Sequence, residues 1–361
     1  MSKKYDRSLG SYQFDTGNFF SKPLYDAITD VRIERKEIVS EESKARVRRP
    51  HLTTNGKLTI LAADHPGRMV ISYGDNPILM GDRHEYLGHV LRVLLGSDFD
   101  GVMGTPDIIE ELFIVSWLYR QKHGESFLDN RVVIGTMNRG GLLGTVFEMD
   151  DRFTSYTAQK ISELRLDGAK FMFRLEENES GSGKTMYYCA KVIEALNQLG
   201  LPAFLEALPV RKDATGYPVR KDAESLVKVI GVATAMGDSS LNLWIKIPYC
   251  DGYKLVAAST TCPILMLGGA SKGNPIPVLK EFEEGLKAGR NVRGILVGRN
   301  ILFPGPDDPA CVAQAAHQIV HMGQSVDEAI GVMGERRGNN LGILAGLIEL
   351  SSFFNRYYEA S

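Results

Sequence analysis

The chain has 361 residues, of which 43% are hydrophobic and 24% are charged, and its formal net charge at pH 7 is -2. This composition is typical of a globular protein with a sizeable core, and the lack of a basic excess argues against nucleic acid as a partner. No signal peptide follows Met1 and no apolar run has the length that crosses a bilayer, so we expect a cytoplasmic protein without a membrane partner.

The first 56 residues are polar and weakly patterned, with many charges of both signs between Arg32 and Arg49. We interpret them as an N-terminal extension that contains some helix and packs on the outside of the domain. From Lys57 onward, short apolar runs alternate with longer amphipathic stretches. The predicted strands are 58–63, 101–104, 132–136, 169–174, 203–206, 243–246, 264–267 and 294–297.

Helical patterns lie between these runs, and several begin after residues that favour helix N-caps, such as Asp82, Thr105, Asp222 and Asp308. The predicted helices are 84–95, 106–123, 154–166, 184–199, 221–236, 251–260, 275–288 and 308–322. Eight repeats of strand and helix over about 250 residues predict a closed parallel barrel, the (β/α)8 TIM barrel, over 57–322. Further helices at 325–335 and 340–357 would form a C-terminal extension over 323–361.

The alternative fold is a doubly wound open sheet, in which a glycine-rich dinucleotide motif normally follows the first strand. Here the first strand is followed by Asp64-His-Pro-Gly67, which does not fit that motif. The stretch Asn178 to Thr185 resembles a phosphate-binding nucleotide loop, but Asn178 occupies the position of its first glycine. We interpret this stretch as the connection from the fourth strand to the fourth helix, and nucleotide binding remains a remote alternative.

Four charged residues lie in or directly after predicted strands, where a parallel barrel places its active site. They are Asp64 after the first strand, Lys170 in the fourth, Glu206 in the fifth and Lys246 in the sixth. Buried charges are rare unless they are paired or used, so these residues predict either a structural pair of salt bridges or a catalytic site. We favour the catalytic site.

A lysine that is partly desolvated and close to another cation has a lowered pKa, and its neutral amine can condense with a carbonyl. Lys246 is the candidate for this imine, with Lys170 as the neighbouring cation. Glu206 and Asp64 are candidates for proton transfer.

These residues resemble the class I, Schiff-base aldolases of the deoxyribose-phosphate, fructose-bisphosphate and tagatose-bisphosphate aldolase superfamily. The resemblance extends from about Lys57 to Ala329. Its motifs are Ala62-Ala-Asp-His-Pro66, Gly168-Ala-Lys-Phe171, Phe204-Leu-Glu206, Ile245-Lys-Ile-Pro248, Cys262 to Gly269 and Gly294 to Asn300. It implies a metal-independent lyase that needs no cofactor and acts on a phosphorylated small molecule.

Glycine-containing pairs follow the seventh and eighth strands, where the resemblance places phosphate-binding loops. These are Gly268-Gly269 and Gly298 with Arg299. Glycines let the backbone approach an anion closely, and the arginine adds a charge-assisted hydrogen bond. Arg174 shares a strand face with Lys170 and is a further candidate for substrate binding, or it forms a salt bridge with Glu206 or a loop acid. Arg139, in the loop after the third strand, is a weaker candidate.

The chain departs from the fructose-bisphosphate branch, which has a tyrosine acid/base on strand five where this sequence has Glu206. It most resembles a deoxyribose-phosphate-aldolase-like group linked to inositol catabolism. That resemblance suggests cleavage of 2-deoxy-5-keto-6-phosphogluconate to dihydroxyacetone phosphate and malonate semialdehyde. Alternatives are a deoxyribose-phosphate, fructose-bisphosphate or tagatose-bisphosphate aldolase, and a transaldolase-type synthase that uses the same imine. We expect a homo-oligomer.

No metal site is predicted. The four cysteines are widely spaced, and His317 and His321 share a helical face but lack the H-E-x-x-H pattern. Their helix is expected outside the barrel and away from the catalytic residues. His65, beside Asp64, is interpreted as making a local structural hydrogen bond.

Overall fold

The computed structural model describes residues 3–138 and 143–349, and its centre is a closed barrel of eight parallel strands in sequential order. This confirms the predicted (β/α)8 fold. The strands are Leu58–Ala63 (β1), Gly101–Gly104 (β2), Val132–Thr136 (β3), Gly168–Leu175 (β4), Ala203–Pro209 (β5), Leu243–Pro248 (β6), Ile264–Leu267 (β7) and Val292–Val297 (β8).

The helices surround this barrel and precede it. Before β1 lie Lys3–Leu9 (α1), Thr16–Phe19 (α2), Lys22–Glu34 (α3) and Ile38–Ala45 (α4). The helices that alternate with the strands are Arg83–Gly96 (α5), Pro106–His123 (α6), Ala158–Glu163 (α7), Ser180–Gln198 (α8), Ala223–Thr234 (α9), Tyr253–Ala258 (α10) and Ile276–Leu286 (α11). After β8 come Arg299–Leu302 (α12), Pro309–His317 (α13) and Val326–Arg336 (α14).

The interior of the barrel is apolar in its lower half, towards the N-terminal ends of the strands. Residues from several strands meet there in one buried cluster, among them Ile60, Met103, Ile134, Phe204 and Leu296. Glu206 pairs in register with Lys246 across β5 and β6, while Lys170 lies opposite Phe204, one layer deeper. The charged side chains therefore rest on an apolar floor that holds them towards the C-terminal ends of the strands.

The N-terminal segment is more regular than its sequence predicted. Phe20 and Val31 are fully buried in the same hydrophobic cluster as the helices around the barrel. The guanidinium group of Arg46 donates to the backbone carbonyls of Arg131 and Arg165, and its Nη1 lies 3.0 Å from Asp167. The segment thus packs closely against the barrel, although its polar sequence gave no clear helical period.

The C-terminal segment differs in part from the prediction. Helix α14 lies where a helix was expected at 325–335, but residues 341–344 form a short 3-10 helix followed by turns. The predicted helix at 340–357 was therefore wrong over its described part. Asn340 and Gly346 have positive φ angles of 58° and 68°, which are incompatible with a continuous α-helix. Residues beyond 349 lie outside the described residues.

The stretch that resembled a nucleotide loop is mostly helical. Helix α8 begins at Ser180, so the connection from β4 is shorter than predicted. The hydroxyl of Ser182 bonds the backbone of Glu176, and the Thr185 hydroxyl donates to the carbonyl of Met149. Nζ of Lys184 lies 3.3 Å from Oδ2 of Asp150. The side chains that would bind a nucleotide phosphate are thus engaged with protein groups.

No helix in the described part of the chain combines the length and the apolar character needed to span a membrane.

Candidate active site

The four charged residues singled out in the sequence lie together at the C-terminal end of the barrel. Lys170 is fully buried, and Asp64, Glu206 and Lys246 are each at most 4% exposed. Because β1, β4, β5 and β6 are parallel, the ends of these strands bring the four side chains to one face. We call them the lysine–carboxylate cluster.

Glu206 is the centre of this cluster. Its Oε2 atom lies 2.8 Å from the Nζ atoms of both Lys170 and Lys246. Lys170 also donates to Oδ2 of Asp64 at 2.9 Å, whereas Oδ1 of Asp64 has no hydrogen-bond partner among the described residues. Lys170 therefore bridges two carboxylates, those of Asp64 and Glu206. Of these two, Lys246 contacts only Glu206, which it shares with Lys170.

This unequal sharing of carboxylates shifts the pKa values of the two lysines in opposite directions. Burial lowers the pKa of Lys246 to about 8, and the nearby charge of Lys170 adds to that effect while Glu206 opposes it. Burial also acts on Lys170, but Asp64 and Glu206 together raise the pKa of Lys170 above its usual value. Lys170 stays a cation near neutral pH, and Lys246 is the amine that loses its proton most readily.

Both carboxyl groups of the cluster are held ionised. Burial alone would raise the pKa of Glu206, but Lys170 and Lys246 lower it well below the usual range. The pKa of Asp64 is lowered in the same way, mainly by Lys170 and then by Arg68. The cluster thus presents two bases, one permanent cation and one amine that titrates near physiological pH.

Arg68 belongs to this site, although the sequence reasoning missed it. It ends the short 3-10 helix Pro66–Arg68 that follows β1, and its Nη1 lies 3.9 Å from Oδ1 of Asp64. Its buried Nε has no acceptor among the described residues. The four-residue spacing from Asp64 was the available signal, because the short turn directly after β1 brings Arg68 back towards that carboxylate.

Arg299 lies after β8 and is close enough to Arg68, Glu206 and Asp64 to interact with all three charges. Its Nε is also buried without an acceptor in the described structure. Two guanidinium groups thus have unused donors at the same end of the barrel. Such donors are costly unless an anion or water accepts from them.

Gly298 is required by close packing beside the site. A Cβ atom at this position would lie 2.2 Å from Cε1 of His65 and 2.5 Å from the carbonyl oxygen of Ala62. Nδ1 of His65 lies 3.1 Å from the hydroxyl of Tyr86, and burial lowers the pKa of His65 to about 3. His65 is therefore a neutral, structural histidine, as expected.

Gly268 and Gly269 follow β7 on the same face. Gly269 has a φ angle of 70°, which favours glycine, and Nζ of the exposed Lys221 lies 3.6 Å from where its Cβ would be. The side chain of Asn300 donates to the carbonyl of Gly268 at 2.7 Å, which ties the loops after β7 and β8 together. Lys221 was not predicted from the sequence.

Arg174 lies on β4 but forms an ion pair with Glu148, a loop acid, which was one of the two alternatives predicted. Its role in substrate binding stays a prediction, and its Nε has no acceptor among the described residues. Arg139 lies outside the described residues. Among the residues that the structure describes, three possible metal ligands meet only at the opposite end of the barrel, at Asp100, His317 and His321.

A family model described as Cgl0159-like matches residues 56–317 of this chain. The crystal structure of Cgl0159 from Corynebacterium glutamicum is 32% identical in sequence, covers 84% of this chain and 99% of that chain, and superposes with a TM-score of 0.78. Among curated proteins, none matches this sequence.

More distant structures share the fold. An archaeal fructose 1,6-bisphosphate aldolase is 19% identical, with coverage of 78% of this chain and 98% of that chain and a TM-score of 0.54. A fructose-bisphosphate aldolase from Slackia heliotrinireducens is 15% identical, with coverage of 85% and 91% and a TM-score of 0.60.

Proposed function

The chain belongs to the Cgl0159-like family, and we propose that it is a class I aldolase that forms an imine between Lys246 and a phosphorylated keto-sugar or keto-sugar acid. The observation that carries this proposal is the difference between the electrostatic environments of the two buried lysines. One is held as a cation by two carboxylates, and the other has a pKa lowered to about 8. A nucleophilic amine beside a fixed cation is what imine chemistry requires.

The reaction begins when the neutral Nζ of Lys246 attacks the substrate carbonyl. The proton that Lys246 gives up to Glu206 is returned to the carbinolamine hydroxyl, which leaves as water, and the protonated imine that forms withdraws electrons from the adjacent carbon. A carboxylate then removes the proton of the substrate hydroxyl, the carbon–carbon bond breaks, and an aldehyde leaves. The resulting enamine takes a proton on carbon, and water hydrolyses the imine to release the ketone.

Glu206 is the best placed base for these proton transfers, because its Oε2 already touches Nζ of Lys246 at 2.8 Å. Proton exchange between the carboxylate, the carbinolamine and the leaving hydroxyl needs little movement. Asp64, whose Oδ1 has no hydrogen-bond donor among the described residues, is the second candidate. Lys170 keeps both carboxylates ionised and opposes protonation of Lys246, so it acts as a positioning residue.

The substrate is anionic. Gly268, Gly269, Gly298 and Arg299 form the proposed phosphate site, since the loops after β7 and β8 commonly hold phosphate in such barrels. The unused Nε of Arg68 would donate a hydrogen bond to a second anionic or hydroxyl group near Asp64. A phosphorylated keto-sugar acid such as 2-deoxy-5-keto-6-phosphogluconate carries both a phosphate and a carboxylate, and guanidinium donors bind either group.

The structural neighbours support this proposal at the level of chemistry. One of the structures with the same fold, 19% identical, is described as a Schiff base forming fructose-1,6-bisphosphate aldolase. Another, also 19% identical, is described with its catalytic lysine bound to the carbinolamine intermediate of the substrate. The imine chemistry of those proteins matches the arrangement around Lys246, while the substrate of this chain is proposed from its own arginines.

The test is a cleavage screen of phosphorylated ketoses and keto-sugar acids, with release of dihydroxyacetone phosphate followed by a coupled dehydrogenase. The panel includes fructose and tagatose bisphosphates, and deoxyribose phosphate is followed by release of its own aldehyde products. A transaldolase would show itself by needing an acceptor aldehyde. We expect cleavage by the native protein and by Lys228→Met, an exposed lysine variant, and none by Lys246→Met. Equal activity of Lys246→Met would overturn the proposal.

A further inference from the structure

A second cluster of titratable side chains lies at the N-terminal end of the barrel, on the opposite side of the apolar floor from Lys246. Asp100 directly precedes β2, His317 ends α13, and His321 lies in the π-helical turn Gln318–Met322 that follows. The sequence reasoning considered the two histidines alone. The fold adds a carboxylate to them, because the segment after β8 returns beneath the start of β1 and β2.

The three residues are close enough to share one ion. One possible ligand atom from each of them lies within 4.8 Å of the others. Oδ2 of Asp100 is 2.8 Å from Nε2 of His321, and these two side chains are each 7% exposed. The imidazole rings of His317 and His321 stack at 4.4 Å. The four-residue spacing places both rings on one face of the helix, where they can meet.

Asn55 fixes the orientation of the His321 ring. The Asn55 amide nitrogen lies 3.5 Å from the carbonyl oxygen of His321, so the amide oxygen faces Nδ1 of the ring, at 3.0 Å. The ring is thereby turned so that Nε2 faces Oδ2 of Asp100 at 2.8 Å, which places an imidazole nitrogen beside a carboxylate oxygen, as two ligands of one ion would lie.

Asp100 is also held in place for this role. Oδ2 accepts from the backbone N–H of Thr59 at 2.8 Å and from its hydroxyl at 3.0 Å. Oδ1 accepts from Arg49 at 2.9 Å. Nδ1 of His317 lies 3.2 Å from the same Thr59 hydroxyl. Hydrogen bonds of this kind, from outer groups to ligating carboxylates and imidazoles, orient metal ligands in proteins.

We propose that Asp100, His317 and His321 bind one divalent transition metal ion, for which Zn²⁺ is the best match. Two imidazoles and one carboxylate oxygen are ligands that suit Zn²⁺, with water completing a tetrahedral site. Because Arg49 occupies Oδ1, Asp100 would bind through Oδ2 alone. The ion would tie the π turn to the starts of β1 and β2, which makes its role structural and independent of the proposed imine chemistry.

The test uses the full chain after removal of metal with a chelator. Zn²⁺ is titrated in competition with a chromophoric chelator, and Co²⁺ is added separately to read the ligand field. We expect one equivalent per chain, a raised melting temperature with Zn²⁺, and binding weaker by more than about 100-fold in His317→Gln and His321→Gln. His51→Gln, which alters an exposed histidine, should bind like the native chain.

Two results would overturn the proposal. The first is no stoichiometric binding by the native chain, which would leave only a hydrogen bond between His321 and Asp100. The second is equal affinity in the native chain and in the two cluster variants. If those variants fail to fold, the Co²⁺ spectrum of the native chain decides, because a tetrahedral nitrogen and oxygen site gives a spectrum unlike that of hydrated Co²⁺.

Discussion

Two buried clusters in this molecule have the same formal charge but differ in how their charges are paired. The lysine–carboxylate cluster contains two lysines and two acids. The arginine–aspartate cluster contains Arg92, Arg337, Asp307 and Asp308, and it joins α5, α13 and the segment after α14. In the second cluster each arginine has its own carboxylate, with bidentate contacts of 2.9 and 2.7 Å for Arg92 and of 2.7 and 3.0 Å for Arg337.

In the arginine–aspartate cluster, the carboxylate of Asp308 also accepts hydrogen bonds from the backbone. Asp308 caps α13 through the N–H of Ala310 and accepts from the N–H of Gly338. Its pKa is lowered, chiefly by Arg92 against the effect of burial. Each arginine there has a carboxylate of its own, whereas in the lysine–carboxylate cluster Lys246 shares Glu206 with Lys170 and has a pKa lowered to about 8. Unequal pairing, more than burial of charge, therefore distinguishes the proposed reactive site from the arginine–aspartate cluster.

The largest expected effect comes from Lys246→Met, which removes the nucleophile but keeps the length and apolar character of the side chain. We expect kcat for cleavage to fall by about 10⁴-fold or more, as for other removed nucleophiles. The melting temperature should hardly fall, because a desolvated amine is replaced by an apolar group. Steady-state kinetics measure kcat, and thermal unfolding measures the melting temperature. A large loss of stability with little loss of activity would show that the lysine–carboxylate cluster is structural.

Arg92→Met is the matched change in the arginine–aspartate cluster. It leaves Asp308 buried without its partner, which should lower the free energy of unfolding by about 3–5 kcal/mol. The activity of the folded fraction should stay close to that of the native chain. Urea unfolding and active-site-normalised kinetics provide the two readouts. A selective loss of kcat at full stability would show that this cluster also takes part in the reaction.

Glu206→Gln tests the base while it keeps the size of the side chain. We expect a loss of about 10²–10³-fold in kcat, within the range for general acid–base residues. Imine formation itself should persist, because the Lys246 amine is still present. Covalent trapping that persists while turnover is lost would support this division of labour, and loss of both together would argue that Glu206 only holds the lysines in place.

Arg68→Gln tests the second anionic subsite. A hydrogen bond to a charged group contributes roughly 1.5–3 kcal/mol, so we expect KM for a phosphorylated keto-sugar acid to rise by about 10–100-fold with a smaller change in kcat. The same variant should affect a substrate without the carboxylate much less. Arg83→Gln, whose partners Asp107 and Glu111 lie on α6, serves as the control.

The smallest effect is a shift in pH dependence. Imine formation needs the neutral amine, so its rate should rise with pH through about 8 and then level off, since the pKa of Lys246 is lowered to about 8. In Glu206→Gln an anion that raises this pKa is lost, so the midpoint should move to lower pH. A midpoint near 10.5, the ordinary value for lysine, would show that the amine is not perturbed.

The barrel could be predicted from the sequence because its strands are short apolar runs separated by capped helices. All eight strands include the predicted ranges, and four of them (β4, β5, β6 and β8) are longer by two or three residues. Asp82, Asp222 and Asp308 cap their helices as expected, whereas the side chain of Thr105 makes no capping hydrogen bond. The N-terminal helices could not be predicted as well. Their burial depends on packing against the barrel, which the local pattern of polar residues does not show.

Part of the candidate site could also be predicted from the sequence. Strand ends converge in a parallel barrel, so Asp64, Lys170, Glu206 and Lys246 could be grouped from their positions alone. Arg68 could not be grouped with them in the same way, because it lies in a turn after Pro66 and Gly67, outside any strand. Asp100 was missed beside His317 and His321 for a related reason, since contacts beneath the barrel join segments that are distant in sequence.

The central claim is that Lys246, and not Lys170, forms the imine. The most direct measurement is borohydride reduction of the protein in the presence of a cleaved ketose phosphate, followed by mass spectrometry of the peptides across a range of pH. We expect one adduct per chain, on Lys246, with a yield that rises through about pH 8. An adduct on Lys170, or no adduct on the cluster with any substrate that the protein cleaves, would contradict the account.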